Sequence, residues 1–429
     1  MFGRPRSSLP EANMSKGEEL KLHITVLVNK QRTKVLCAEA GSDFMDVLLS
    51  FLLLPLGMIM KVLEAPAIGS LSTLYRGVVN LDTSHFQTEV AKQKLLAPAS
   101  CYDAELHKLR LNVYNAVPAS PNSVNRYDGV FTNSAASFLI GDDLKVMPNL
   151  MFSILETLKV LDIDVTDIDD AEKMDVAFGS KEIVDLLRLS LVFRNPLTAF
   201  VLSGGQIRVA PKKSNSNEQG NASLQCINEK VASTNIKKMI VKATIQKSTN
   251  KFVFAQADSD FINFLFGMLT LPLGSVLWYS ASNSGLEAID NMHRSIADDS
   301  IKVQLKSAKT RDYLTMSNHE IISHLNFDVR NHHVKGERMY MVSNNLTVSP
   351  FAMTSCISVL NDLKISTSDV EEVDVQVGLD EGLSIVKEAL TSTTALEDGL
   401  IKAILKASIA ASQTVNDQSL NAEFGFISL

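Results

Sequence analysis

Apolar and polar positions alternate from His23 to Val28 (HITVLV), and a second apolar run, Lys34–Ala38 (KVLCA), follows the polar stretch Asn29–Thr33. Two such runs around a short polar turn predict a β-hairpin. The pattern then changes. Phe44, Met45, Val47, Leu48, Leu49, Phe51 and Leu52 cover nearly every face of a helix, which marks a central element rather than a surface one. Ser42 or Asp43 offers a side-chain oxygen to cap its free N–H groups. At Leu54-Pro55-Leu56-Gly57 the proline, which has no N–H, breaks this helix; a short helix runs on to Leu63 and an amphipathic one covers Ser70–Leu81. Farther along, the spacing predicts a strand over Leu106–Val113. It also predicts a hairpin of Ala135–Ile140 and Leu144–Met147 around Gly141-Asp142-Asp143, ended by Pro148. A helix over Met151–Leu161 has Ile154, Leu155 and Leu158 on one face. Another, Lys181–Phe193, is capped by Ser180 and turns Ile183, Leu186, Leu187 and Leu191 inward.

The pattern occurs twice. Residues 21–57 align without gaps with 238–274 at an offset of 217, and 14 of the 37 positions are identical. These include Asp43, Phe44, Pro55 and Gly57, matched by Asp260, Phe261, Pro272 and Gly274; these eight are read as structural residues of the repeat. The FLIGDDLKVMP segment (138–148) pairs with YMVSNNLTVSP (340–350) at offset 202, and DVAFG (175–179) with DVQVG (374–378) at offset 199. In each copy the order is strands, then helices, then strands, then helices, without the regular β-α-β alternation of a doubly wound fold. The expected class is therefore α+β: two homologous halves, each an antiparallel sheet with hairpins covered by helices. Residues 20–205 and 236–402 form the two repeats, each long enough for its own core. Residues 206–235, rich in Gly, Ser, Asn, Lys and Gln, read as a flexible linker, 1–19 as a disordered extension and 403–429 as a tail.

Several of these segments together resemble a plant family known as domain of unknown function 674: KVLCAEAGSDFMDVLLSFLLLPLG, GSLSTLYRGVVNLD, SFLIGDDLKVMPN and AFGSKEIVDLLRLSL in the first copy, KFVFAQADSDFINFLFGMLTLPLGSVL and YMVSNNLTVSP in the second. The resemblance implies a plant source and a tandem arrangement, and it brings no reaction with it. Many members of that family carry extra cysteines in the loop ahead of the SFLI hairpin; Tyr114–Val130 here has none, so a metal role suggested by those cysteines does not carry over.

Composition narrows the function classes. The 41 Lys and Arg against 48 Asp and Glu give a net charge of −7. With 6% aromatic residues and no RNA-binding signature, this argues against nucleic acid as a partner. Four scattered cysteines exclude a disulfide scaffold. There is no apolar leader, and the expected location is cytoplasmic. Val47–Met60 is 14 residues long and interrupted by Pro55, and Phe261–Tyr279 is interrupted by Asn263, Pro272 and Gly274, so membrane insertion is disfavoured.

No reactive motif stands out. Neither a P-loop nor a dinucleotide fingerprint occurs, and no cofactor is expected. Cys37 reads as a core thiol. His319 and His324 are one residue too far apart to share a helix face as zincin ligands, and His332-His333 diverge; no metal site is expected. The acidic run Asp162, Asp164, Asp167, Asp169, Asp170, Glu172 lacks the Gly and Glu of a calcium loop in either frame and reads as a solvated connection. Asp142-Asp143, replaced by Asn344-Asn345 in the second copy, reads as turn chemistry rather than an acid–base pair. Catalytic residues stay unknown. The reading is a non-enzymatic protein that binds a small-molecule metabolite or an unknown protein partner. The alternative is an enzyme of plant specialised metabolism with its site in a cleft between the halves, where Glu64–Ala67 and Tyr114–Val130 would be rim loops.

Overall fold

The computed structural model describes residues 20–64, 68–113, 128–150, 153–203, 238–315 and 332–405. The expected extension and linker, and His319 and His324, lie outside them. In the first half, β1 (Leu22–Val28), β2 (Val35–Gly41), β3 (Ser137–Gly141), β4 (Val146–Pro148) and β5 (Glu172–Phe178) form an antiparallel sheet in the order β4-β3-β2-β1-β5. In the second, β6 (Met239–Gln246), β7 (Lys251–Ala257), β8 (Tyr340–Ser343), β9 (Val348–Pro350) and β10 (Val370–Val377) take the order β10-β6-β7-β8-β9, the same path. The fold is α+β with two similar halves. Registers match as well: Leu22 faces Phe178 and Met239 faces Val377. A bulge falls between Leu27 and Val28 in β1 and between Thr244 and Ile245, their counterparts, in β6. A bulge leaves a residue unpaired, so its return at one offset marks a copied backbone path.

The helices of the first half are α1 (Ser42–Ser50), α2 (Leu56–Leu63), α3 (Leu71–Asn80), α4 (Glu89–Leu96), α5 (Asp103–Leu106), α6 (Ile154–Val160), α7 (Ser180–Val192) and α8 (Pro196–Ser203). Those of the second are α9 (Ser259–Gly267), α10 (Leu273–Tyr279), α11 (Glu287–Ala297), α12 (Asp299–Lys302), α13 (Ala308–Thr315), α14 (Met353–Asp362) and α15 (Leu379–Thr391), with residues 395–405 also helical.

Strand alternation sorts side chains between two layers. Val26, Val28, Ala38, Phe138 and Ile140 point inward, beneath α1. Leu27, Cys37 and Leu139 point outward into a small cluster with Leu36, Met147 and Leu158 of α6. Burial pushes the Cys37 thiol pKa up. The inward layer of the second half, with Val241, Ala255, Phe261 and Val342, belongs to the same continuous core. Each copy is long enough for a core of its own, but the two share one, because α1 and α9 are apolar all round and need cover on every side.

Several local expectations change. Leu106–Val113 is not a strand: α5 ends at Leu106 and turns follow, with Leu106, Leu109 and Leu111 buried at irregular spacing. Helix α1 starts after an extended Gly41 with no side-chain cap; Asp43 instead accepts from the Phe44 N–H (2.9 Å) and pairs with Arg110 (3.1 Å). Gly179, not Ser180, precedes α7, and the Glu182 carboxylate accepts its N–H (3.0 Å), as Glu381 does for Gly378 (2.9 Å). On α6, Ile154 is 76% and Leu155 67% exposed, so only the Leu158 edge of that face packs.

Candidate functional site

The halves meet through reciprocal contacts, as in a two-fold dimer. Leu56 N–H donates to the Leu271 carbonyl (2.8 Å), and Leu273 N–H to the Leu54 carbonyl (2.9 Å). Both Leu-Pro-Leu-Gly turns are thus buried at the centre, with Pro55 bridging to Pro272. Gly57 is needed there, since a Cβ would stand 2.7 Å from the Leu95 carbonyl oxygen and 3.0 Å from that of Leu269. Phe44 and Phe261 lie in the core, Gly274 is buried in the first turn of α10, and the Asp260 N–H donates to Asp258 (3.0 Å). A second exchange links 85–87 with 333–335 and 304–306 with 131–133, each by a pair of backbone hydrogen bonds. A buried polar residue on each central helix anchors these segments. The Asp46 carboxylate of α1 accepts from the N–H groups of Val130 (2.5 Å), Phe131 (3.2 Å) and Thr132 (2.8 Å) and from the Thr132 hydroxyl (2.8 Å). Its counterpart Asn263 accepts from the N–H groups of His333 (2.7 Å) and Val334 (3.0 Å). Burial lowers the His333 pKa to about 4.

Each half also lays a helix along the other half's edge strand, and here the two sides differ. On one side, α11 closes over β4. Ser295 Oγ accepts the outward Val146 N–H (3.0 Å), Asn291 donates to the Asp143 carbonyl (3.0 Å), and Arg294 is tied to the Ser282 carbonyl (2.8 Å) and to Asn291 (2.5 Å). On the other side, α3 faces β9. Thr73 donates to the Asn345 carbonyl as Asn291 does to Asp143, which puts Gly77 where α11 has Ser295 and Arg76 where it has Arg294. Gly77 carries no hydroxyl for the Val348 N–H. The ladder bonds Ser343 to Thr347, so Val348, one step on, turns its N–H and carbonyl away from β8. A Cβ on Gly77 would stand 3.6 Å from that nitrogen. The result is a cleft of about 360 Å³ lined by Thr73, Arg76, Gly77 and Asn80 of α3, Leu81, and Thr347–Pro350. Arg76 is exposed and has no partner among the described residues, and no carboxylate lines the cleft.

The family model described as "Protein of unknown function (DUF674)" matches residues 18–120, 117–332, 306–380 and 326–423, so overlapping segments take in both copies. This chain belongs to that family. No curated protein and no solved structure matches it. The family assigns no site, so geometry alone ranks the remaining polar groups.

One titratable cluster spans the seam near the cleft. Arg338 Nη1 donates to His85 Nδ1 (3.1 Å), and the Tyr340 hydroxyl lies 3.4 Å from the same nitrogen. Burial, then the Arg338 charge, lowers the His85 pKa; burial raises that of Tyr340. Phe138 and Ala136 stand at the Tyr340 and Arg338 positions of the first copy, so the cluster occurs once. A Ser282–His293 pair (2.8 Å) is buried away from the cleft. His293 Nε2 donates to the Thr315 carbonyl (3.4 Å), which leaves Nδ1 to accept from Ser282. Burial holds His293 neutral, with a pKa of about 4.

Asp142 is tied down rather than reactive. Its carboxylate accepts from the Thr198 N–H (2.7 Å) and hydroxyl (2.6 Å) and from Asn195 (2.9 Å); burial still raises its pKa. Asn344 instead donates to Glu397 (2.8 Å) and accepts from the Glu397 N–H (3.0 Å). Leu144 and Leu346 take the left-handed turn positions; Asp143 and Asn345 accept the Lys145 and Thr347 N–H groups (both 3.2 Å) within the turns, while Asp142 and Asn344 dock α8 and the 395–405 helix. The acidic run is not simply solvated: Asp170 pairs with Lys30 and Asp167 with Lys34 (3.7 Å) across the β1–β2 turn. Among the described residues, no three His, Cys, Asp or Glu gather as metal ligands, and no helix is long and apolar enough to cross a membrane. Residues 65–67 and 114–127 of the expected rim loops lie outside the described residues.

Arg76, Gly77 and Val348 escaped sequence reasoning. The signal lay in the downstream part of the repeat, where Gly replaces Ser at an otherwise matched helix position.

Proposed function

We propose that this chain is a non-enzymatic ligand-binding protein whose small-molecule site is the seam cleft between α3 and β9. The supporting observation is the asymmetry: the same junction is filled by Ser295 and tied by Arg294 on one side, and left open on the other, where Arg76 has no partner among the described residues. A duplicated scaffold holds such a cleft rigid, because both of its walls are anchored in one core. The test is a small-molecule screen of the full chain by native mass spectrometry, repeated on Gly77→Leu, which places a side chain in the cleft. Hits should vanish in that variant while the melting temperature holds. Hits that survive it would place binding elsewhere and sink this reading.

The His85–Arg338–Tyr340 cluster favours a second reading, an enzyme using His85 as a base, since an imidazole held neutral beside a tyrosine is suited to proton transfer. Turnover of a screening hit that disappears in both His85→Gln and Tyr340→Phe would favour it over binding alone.

A further inference from the structure

Arg76 and the Val348 amide are two donors that face one cavity and find no acceptor among the described residues. They differ in kind. The guanidinium is a planar, permanently charged fork that matches carboxylate and phosphate oxygens. The amide is fixed by the sheet and cannot turn away. On the α11 side, the matched amide is met by a hydroxyl oxygen and the matched guanidinium by a backbone carbonyl and an amide oxygen. Oxygen acceptors therefore satisfy both groups where the junction is closed, and no oxygen from the described residues does so where it is open. Asn80, Thr73 and Ser349 add neutral polar groups around the opening, and no acid is there to repel an anion.

We infer that the ligand of this cleft carries an oxyanion, a carboxylate or a phosphate, held between the Arg76 guanidinium and the Val348 N–H. The inference rests on the proposed reading of the cleft as a ligand site. The charge-assisted bond supplies most of the affinity, and the amide fixes where the anion sits.

The full-length protein is titrated calorimetrically with inorganic phosphate in one arm and succinate in the other, against wild type, Arg76→Ala, Arg76→Lys and Val348→Pro. The arm that binds more tightly names the anion class. Arg76→Ala should weaken binding by about tenfold or more, and Arg76→Lys by less, because a point charge replaces the fork. Val348→Pro removes only an outward N–H on an edge strand, where proline is tolerated, and should weaken binding by about threefold to tenfold. Equal affinity in wild type and Arg76→Ala overturns the inference, as does the absence of binding in both arms. If uncharged hits still bind and are still blocked by Gly77→Leu, the oxyanion assignment alone has failed. If nothing is blocked by Gly77→Leu, the cleft reading has failed with it.

Discussion

Helices α3 and α11 occupy the same place in the two copies and make the same reach across the seam, yet one closes its junction and the other leaves it open. Asn291, Arg294 and Ser295 are all engaged across or beside the junction, whereas Thr73 is engaged, Arg76 has no partner among the described residues and Gly77 brings no side-chain group. The lesson is about where a duplicated protein can change. The central turns cannot diverge independently, because Leu54–Leu56 and Leu271–Leu273 bond to each other. A helix face over an edge strand has one partner only, and a single Ser-to-Gly difference there opens a cavity without disturbing the core.

The largest test of that contrast is at its fixed end. Asp46→Ala strips the acceptor from three backbone N–H groups and a hydroxyl around a fully buried carboxylate, and should destabilise by about 3–5 kcal/mol in chemical denaturation. Asn263→Ala orphans two N–H groups and should cost about 2–3 kcal/mol. Equal effects would mean that the two anchors do not scale with the bonds they accept.

Acid should separate the copies next. Tyr75 and His293 do the same work, reaching the carbonyls of Leu96 and Thr315 at the ends of α4 and α13. Tyr75 stays neutral throughout, with its pKa raised by burial. His293 has its folded pKa lowered to about 4, below the unfolded value, so the unfolded chain binds the extra proton between those pH values. This contribution is complete above about pH 6.5 and is lost as pH falls toward 4, up to about 3 kcal/mol at 1.36 kcal/mol per unit. Unfolding free energy measured from pH 7 to 4.5 should fall less steeply in His293→Gln. An unchanged slope would show that other groups carry the acid sensitivity.

A smaller effect tests the open junction directly. Ser295→Ala leaves the Val146 N–H without its acceptor and should cost about 1–2 kcal/mol. Gly77→Ser does the reverse: it gives Val348 an acceptor and removes a helical glycine, and should stabilise by about 0.5–1.5 kcal/mol while abolishing binding in the cleft. A destabilised Gly77→Ser would mean that the cleft is not the mirror of the closed side.

Most of the scaffold was legible because it is written in periodicity. The hairpins, the apolar-all-round α1, the proline break and the repeat itself follow from spacing and from self-comparison. What was not legible depends on the partner half. Ile154 and Leu155 look like a buried face, but α6 covers a narrow outer cluster and leaves them in water. Leu106–Val113 looks like a strand because apolar residues recur, but the chain turns there and buries Leu106, Leu109 and Leu111 at irregular spacing. The shared core and the seam arise only when two copies meet, so no window within one copy could show that Gly77 faces Val348. Asp46 does carry a sequence signal, a polar residue inside an apolar helix matched by polar Asn263 in the second copy, but only the structure shows the N–H groups that both accept.

The smallest contrast lies at the far ends of the sheets. In the first copy, Asn29 accepts the Thr33 (2.9 Å) and Lys34 (3.0 Å) N–H groups within the β1–β2 turn, and charges tie the turn to the segment ahead of β5: Lys30 to Asp170 and Lys34 to Asp167. In the second, Asp369 accepts instead from the Ser248 N–H (2.9 Å) and hydroxyl (2.6 Å) and from Gln246 (2.8 Å), which lowers its pKa. Exposed ion pairs are screened by salt and offset by side-chain entropy, so Lys30→Ala should change stability by less than about 0.5 kcal/mol, and less still in 0.5 M salt. The bonds to Asp369 have fixed donors, one of them backbone, and are less sensitive to screening. Asp369→Ala should therefore destabilise more than Lys30→Ala, and by a margin that widens as salt is added. A Lys30→Ala effect that equals it at high salt would show that charge pairing, rather than turn geometry, holds the hairpin.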